Sequence, residues 1–183
     1  MKLKISAFAV CVIWLGTSSL SQAGDISLWG KSSDVLASGL GLAAVSLAAL
    51  EKDKDGLKQG TKVAVATLLT VEALKRSIPK ARPDFSDNRS FPSGHTALAF
   101  AAAGYIDRRY GHEKPIAAVA GYSIALLTGI SRVKAKKHFP LDVLAGAVIG
   151  WTMANRFTTT NNPQLNFDID QQEGLRISYE KKF

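Results

Sequence analysis

Three short segments decide how this chain is read: KRSIPKARP (75–83), PSGH (92–95) and SRVKAKKHFPLD (131–142). Each sets cationic or donor groups beside a helix end. Pro79 and Pro83 stop a helix that opens at Thr61 and runs from Lys62 to about Ser77, because proline lacks an N–H and clashes with the preceding turn. Ser93 or Gly94 starts the next helix, which reaches Ile106 on little but Ala, Leu and Phe. Pro115 and Pro140 suit the first turns of two more, where the missing N–H is no loss. These end near Ile130 and Asn155. Between the helices lie a loop over Ile78 to Phe91 and a basic loop over Ser131 to Lys137.

Working outward, Ser33-Asp34 reads as a cap for an uncharged helix from Val35 to Leu50, after a lead-in over Gly24 to Lys31. Glu51 to Gly60 and Asp107 to Lys114 are charged and read as turns. The tail changes period: Leu165, Phe167 and Ile169 alternate with polar residues, as do Leu175, Ile177 and Tyr179, with Gln171 to Gly174 between them. That pattern predicts a short C-terminal β-hairpin. The fold expected is all-α, a bundle of about five core helices over residues 24–160, with a tail over 161–183.

Residues 1–23 read as a cleaved signal peptide. Lys2 and Lys4 form a basic end, Ile5 to Gly16 an apolar centre, and Ser21-Gln22-Ala23 a small-x-small cleavage site. The apolar run falls short of the roughly 20 residues that span a bilayer. Cys11, the single cysteine, lies in this segment with no lipobox before it. The mature chain then needs no disulfide and offers no cysteine to a metal.

At 183 residues the chain is long enough for one domain with a real core. The net charge of +8 favours anionic partners. Nucleic acid is excluded as the expectation, because much of the charge sits in the three clusters and no aromatic-interleaved basic stripe accompanies it. The helices carry uncharged runs of about 13–17 residues, short for a span, with small residues for close packing, including Gly146 and Gly150 at GxxxG spacing. The reading is membrane association, with a water-soluble Ala-rich bundle as the alternative. Five crossings from an outer N-terminus would put both active loops outside. The basic outer loop then runs against the positive-inside tendency.

The clusters carry the chemistry. A phosphate monoester is a dianion and needs fixed cations and N–H donors. Arg82 and Arg132 can each fork two bonds to phosphate oxygens, and Lys75 adds a point charge. Gly94 allows close backbone approach, and Ser93 offers a hydroxyl at a helix start whose free N–H groups suit an anion. Any one of these cations alone reads as a solvated surface group. His138 and Asp142, four apart, would share a helix face, so the carboxylate could orient the ring. An aspartate favoured by the helix dipole beside an incidental histidine is the equal alternative. His95 could protonate a leaving oxygen, or be a structural histidine.

Taken together, Lys75-(six residues)-Arg82-Pro83, Pro92-Ser93-Gly94-His95, and Ser131-Arg132-(five residues)-His138-(three residues)-Asp142 resemble the three-part signature of the type 2 phosphatidic acid phosphatase superfamily. That superfamily includes lipid phosphatases, bacterial class A acid phosphatases and vanadium haloperoxidases. The resemblance implies a helical fold and a metal-free double displacement with no cofactor. By likeness, His138 attacks phosphorus, Asp142 orients it, and His95 protonates the leaving group and then helps water attack. Lys75, Arg82, Ser93, Gly94 and Arg132 hold the phosphoryl oxygens.

The expected function is therefore a phosphatase of the bacterial envelope, at the inner membrane with an outward site or in the periplasm. Its substrate would be a phosphorylated lipid, as monoester or pyrophosphate, or a small phosphoester. A soluble broad-specificity acid phosphatase is the first alternative. A haloperoxidase and a non-catalytic anion-binding membrane protein stand further off. Substrate identity and oligomeric state are not legible in the residues.

Overall fold

A computed structural model describes residues 26–160, 164–170 and 174–180, with side chains over 28–160. The proposed signal segment lies outside these residues. Five helices follow in order: α1 (Ile26–Leu50), α2 (Lys54–Ser77), α3 (Gly94–Tyr110), α4 (Pro115–Lys134) and α5 (Pro140–Phe157). Two strands, β1 (Gln164–Asp170) and β2 (Gly174–Glu180), pair antiparallel with Phe167 opposite Ile177. The bundle is the all-α fold expected.

Several helices are longer than the sequence reading made them. Helix α1 begins at Ile26, so Ser33 and Asp34 sit inside it rather than capping it. Ser33 Oγ donates to the Gly30 carbonyl at 2.6 Å. Helix α2 takes in most of the charged stretch read as a turn, because Asp53 caps it by accepting from Gly56 N–H at 2.8 Å. Helix α3 continues through Arg108 and Arg109 to Tyr110, where basic side chains suit the negative end of the dipole. Helix α4 continues to Lys134, so Ser131 and Arg132 belong to its last turn and not to a loop.

Helix α3 is the central element and packs on all four others. Its exposed positions are Asp107 and Arg108 alone. The contact with α5 is close enough to need glycine. A Cβ on Gly146 would strike the carbonyl of Ser93, and one on Gly150 the carbonyl of Ala97. The GxxxG spacing is thus the groove into which the α3 backbone fits.

The interior is built of small residues. Ala37, Ala44, Ala97, Ala99, Ala103, Ala125 and Ala154 are buried, and few buried side chains are large. Large apolar side chains point outward instead: Leu42 and Val45 on α1, Leu68 and Leu69 on α2, Leu126 and Ile130 on α4, Leu144, Val148 and Trp151 on α5. A protein bathed in water ordinarily buries such residues first.

Consecutive helices run up and down, so one end of the bundle gathers the C-termini of α2 and α4 with the N-termini of α3 and α5. The three sequence clusters lie at that end. The opposite end is tied by a buried ion pair. Arg109 makes two parallel bonds to Asp53, at 2.7 and 2.8 Å, and Tyr110 adds a third at 3.0 Å.

Candidate active site

The loop after α2 is ordered by its own backbone. Lys80 N–H donates to Asn88 O at 3.0 Å, Ser90 N–H to Lys80 O at 2.9 Å, and Arg82 N–H to Asp87 O at 3.0 Å. These bonds set Arg82 and Ser90 against the helix ends. Arg82 Nε also bonds Asp87 Oδ1 at 2.6 Å, and Arg89 pairs with Glu72 at 2.6 Å. Lys75, from the last turn of α2, gives its ammonium to the Arg89 carbonyl at 2.6 Å. Burial, then the charges of Arg82 and Arg89, bring its pKa down to about 8.

His138 is buried, at 2% exposure, in the turn before α5. Its Nδ1 lies 2.6 Å from the carbonyl oxygen of Ser90. A carbonyl can only accept, so Nδ1 carries the proton and Nε2 keeps its lone pair. Burial is the main reason that the ring's pKa falls to about 3. The Ser90 bond opposes this, and the nearby Arg132, Lys75 and Arg82 add to it. The imidazole is therefore neutral across ordinary pH, with the lone pair kept on Nε2.

Asp142 does not touch His138 directly, contrary to the reading from their spacing. Pro140 is the first residue of α5, so His138 lies outside the helix and a four-residue interval does not stack the pair. The carboxylate instead accepts from Lys80 Nζ at 2.6 Å, Ser90 Oγ at 2.5 Å and Phe139 N–H at 3.0 Å. Burial alone would raise its pKa; these three donors outweigh that and hold it below the usual carboxylate range. Asp142 thus fixes Ser90, and Ser90 fixes the histidine. Sequence reasoning missed both Ser90 and Lys80. Lys80 lies within the first segment with no mark of its partner, Ser90 lies between the first and second, and only the folded loop brings them to Asp142.

Ser93 also differs from expectation. Its fully buried hydroxyl pairs with Thr96 Oγ1 at 2.9 Å, and its N–H donates to the Asp142 carbonyl at 2.9 Å. The backbone N–H joins the starts of α3 and α5, while the side chain stays within α3 and does not line the site cavity. Gly94 does reach it. A Cβ there would meet only Val71 Cγ1, at an ordinary 3.5 Å, so the protein's own packing leaves room for a side chain at this position.

The cavity holds about 590 Å³ and is lined by Lys75, Arg82, Gly94, His95, Arg132 and His138, together with Glu72, Arg89 and the apolar Leu68, Leu69, Val71 and Leu98. Six of the eight site residues named from the sequence thus converge. Lys75 and Arg132 come from the last turns of α2 and α4, Arg82 from the loop, Gly94 and His95 from the start of α3, and His138 from the turn before α5. The result is a cationic bowl around an uncharged histidine nitrogen with a lone pair, beside a second imidazole. Such a bowl can neutralise a phosphate dianion and present it to a nucleophile.

The PAP2 superfamily model matches residues 57–164, and the chain belongs to that superfamily. Over 80 residues the chain is 48% identical to the lipid A 1-phosphatase of Porphyromonas gingivalis, an alignment that covers 44% of this chain and 18% of that protein. The chain thus spans under a fifth of that relative's length. The crystal structure of Aquifex aeolicus LpxE superposes with a TM-score of 0.61 at 25% identity, covering 85% of this chain and 98% of that one. The transmembrane PAP2-type phosphatidylglycerolphosphate phosphatase of Bacillus subtilis gives 0.60 at 26% identity, over 75% of this chain and 77% of the other.

Proposed function

We propose that this chain is a metal-independent phosphatase that hydrolyses a phosphate ester or pyrophosphate of a membrane lipid through a phosphohistidine on His138. The observation that carries the reading is the convergence of Lys75, Arg82, Gly94, His95, Arg132 and His138 on one cavity. In the first step, His138 Nε2 attacks phosphorus and a P–N bond forms. The P–O bond to the lipid breaks, and His95 gives the leaving oxygen a proton. In the second step, water attacks the phosphohistidine, His95 takes the water's proton, and phosphate leaves with the P–N bond broken. Lys75, Arg82 and Arg132 neutralise charge on the phosphoryl oxygens throughout, which is the work a divalent ion does elsewhere.

Three observations favour a lipid over a soluble ester. First, helices Leu28–Leu50 and Pro115–Lys134 are each long and apolar enough to cross a bilayer. Second, small residues inside and large apolar residues outside are what a hydrocarbon surround selects, because helices there associate by close packing. Third, an apolar groove of about 350 Å³ runs between α1 and α2 over α3. It shares His95 and Leu98 with the phosphate cavity and is otherwise lined by residues such as Gly41, Ala44, Gly60 and Tyr105. A hydrocarbon chain lying there would leave its phosphate in the bowl. The names of the relatives point the same way, to the phosphate of a lipid A–type glycolipid or of phosphatidylglycerophosphate. The site would face the periplasm at headgroup level.

The test is phosphate release from lipid phosphates in detergent micelles, with and without a chelator. Activity unchanged by EDTA and blocked by vanadate is the expected result. Loss of activity in EDTA would reject the metal-free mechanism. Full recovery of activity from cells without detergent would favour the soluble acid phosphatase instead.

Gly94→Ala separates binding from folding. The helix start accepts the methyl group, and alanine favours a helix over glycine, so thermal stability holds or rises. The methyl group narrows the approach to the bowl and weakens phosphate or vanadate binding by about tenfold. Unchanged vanadate inhibition would remove Gly94 from the binding surface.

A further inference from the structure

Asp34 lies on α1, outside the three clusters and outside the segment that the family model matches. The reaction described above makes no use of it. Its Oδ1 sits 3.0 Å from Nε2 of His95 and 3.2 Å from Nη1 of Arg132. Beside it, the buried Ser33 hydroxyl accepts from the same Nη1 at 2.9 Å. Helix α1 therefore grips one corner of the guanidinium. Arg132 Nε is buried without a partner among the described residues, and the residue also lines the cavity. On His95, Nδ1 is likewise left without a partner among them.

We propose that Asp34 is the positioning carboxylate of the proton donor: it holds His95 through Nε2–H, so that Nδ1–H is the proton delivered to the leaving oxygen. The inference rests on the phosphatase reading. The proton balance closes over the two steps. Nδ1–H passes to the ester oxygen as the P–O bond breaks, and the ring, now neutral, stays tied to Asp34 through Nε2–H. Nδ1 then takes a proton from the attacking water and the imidazolium is restored.

The surroundings of His95 make such a partner necessary. Lys75 from α2, Arg82 from the following loop, Arg132 from α4 and the neutral His138 before α5 all line the cavity with it. Glu72 is taken by Arg89, and Asp84, Asp87 and Asp142 by Lys137, Arg82 and Lys80. Asp34 is thus the carboxylate that the described structure places against this ring. Burial, with Arg132, pushes the ring's pKa below the ordinary histidine value, and Asp34 acts against that fall. Without Asp34 the ring gives up its proton at lower pH and has none to donate.

Asp34→Asn, tested on two esters, reads this directly. An alkyl phosphate needs its leaving oxygen protonated, whereas a nitrophenyl phosphate does not. The variant is expected to lose about 10–100-fold in kcat on the alkyl ester, within the range of general acid catalysis, and much less on the aryl ester. The alkaline limb of kcat for the alkyl ester should move to lower pH. Asp34→Glu, which keeps the charge, should restore part of the alkyl-to-aryl ratio. Equal losses on both esters with the limb unmoved overturn the inference, as does an Asp34→Glu variant no better than Asp34→Asn. A wild-type protein idle on both esters overturns the phosphatase reading, and this inference with it.

Discussion

His138→Ala is expected to fold, to bind phosphate, and to release product at least about 10⁴-fold more slowly, the scale of losing a nucleophile from a site that still binds. The remaining bowl is untouched by the change. Lys75 keeps the Arg89 carbonyl, Arg82 keeps Asp87, and Arg132 keeps Ser33 and Asp34. What goes is the lone pair on Nε2, which the Ser90 carbonyl secures by accepting the hydrogen bond from Nδ1–H. The buried Ser90 carbonyl loses its donor, and the space vacated by the ring gives room for a water to supply one. The measurement is phosphate release together with trapping of the intermediate. Labelled substrate should leave acid-labile, base-stable label on quenched wild-type protein and none on the variant. Activity within tenfold of wild type would remove His138 from the nucleophile's role.

Asp53→Ala should give the largest loss of stability with the least loss of chemistry. Asp53 and Arg109 are 2% and 6% exposed, and their two parallel bonds join the start of α2 to the end of α3. Arg109 also bonds the carbonyl and hydroxyl of Thr159, both at 3.2 Å. Deleting the carboxylate strands a buried guanidinium and uncaps α2, which costs about 3–5 kcal/mol. The site lies at the other end of the bundle, so kcat of the folded fraction should stay at the wild-type value. The effect has a pH signature. Burial raises the Asp53 pKa, but Arg109, the Gly56 N–H and Tyr110 outweigh it and depress the native value. Its contribution is then complete above the ordinary carboxylate range and fades as the pH falls through that range toward the native value. The gap between variant and wild type should narrow in acid. A thermal midpoint in detergent equal to wild type at neutral pH would show the pair to be dispensable, and Arg109→Met on top of Asp53→Ala should recover part of the loss.

Much of the architecture was readable from punctuation. Pro79, Pro115 and Pro140 stop or start helices by the same steric rule in any surroundings. The helix ends in charged stretches were misjudged for a physical reason. Asp53 caps α2 at Gly56 and meets an arginine 56 positions later, and the 51–60 segment carries no local mark of that partner. In the same way, Ser33 and Asp34 look like a cap locally, and their partners Arg132 and His95 are reached only when α1 packs beside α3 and α4.

What the sequence by itself determined is the inventory: two imidazoles and a set of cations, at helix ends or in the loops that join them, at intervals that mark a PAP2 chain. Those features are local, since a helix terminus needs only its own residues. What only the tertiary structure decided is the wiring among them. The ring nitrogen of His138 that keeps its lone pair is chosen by a carbonyl on a loop 48 positions away, and Asp142 reaches that histidine only by way of Ser90. A hydrogen bond needs its partners within about 3 Å in the right direction, and spacing along the chain cannot supply that once the residues lie on different elements.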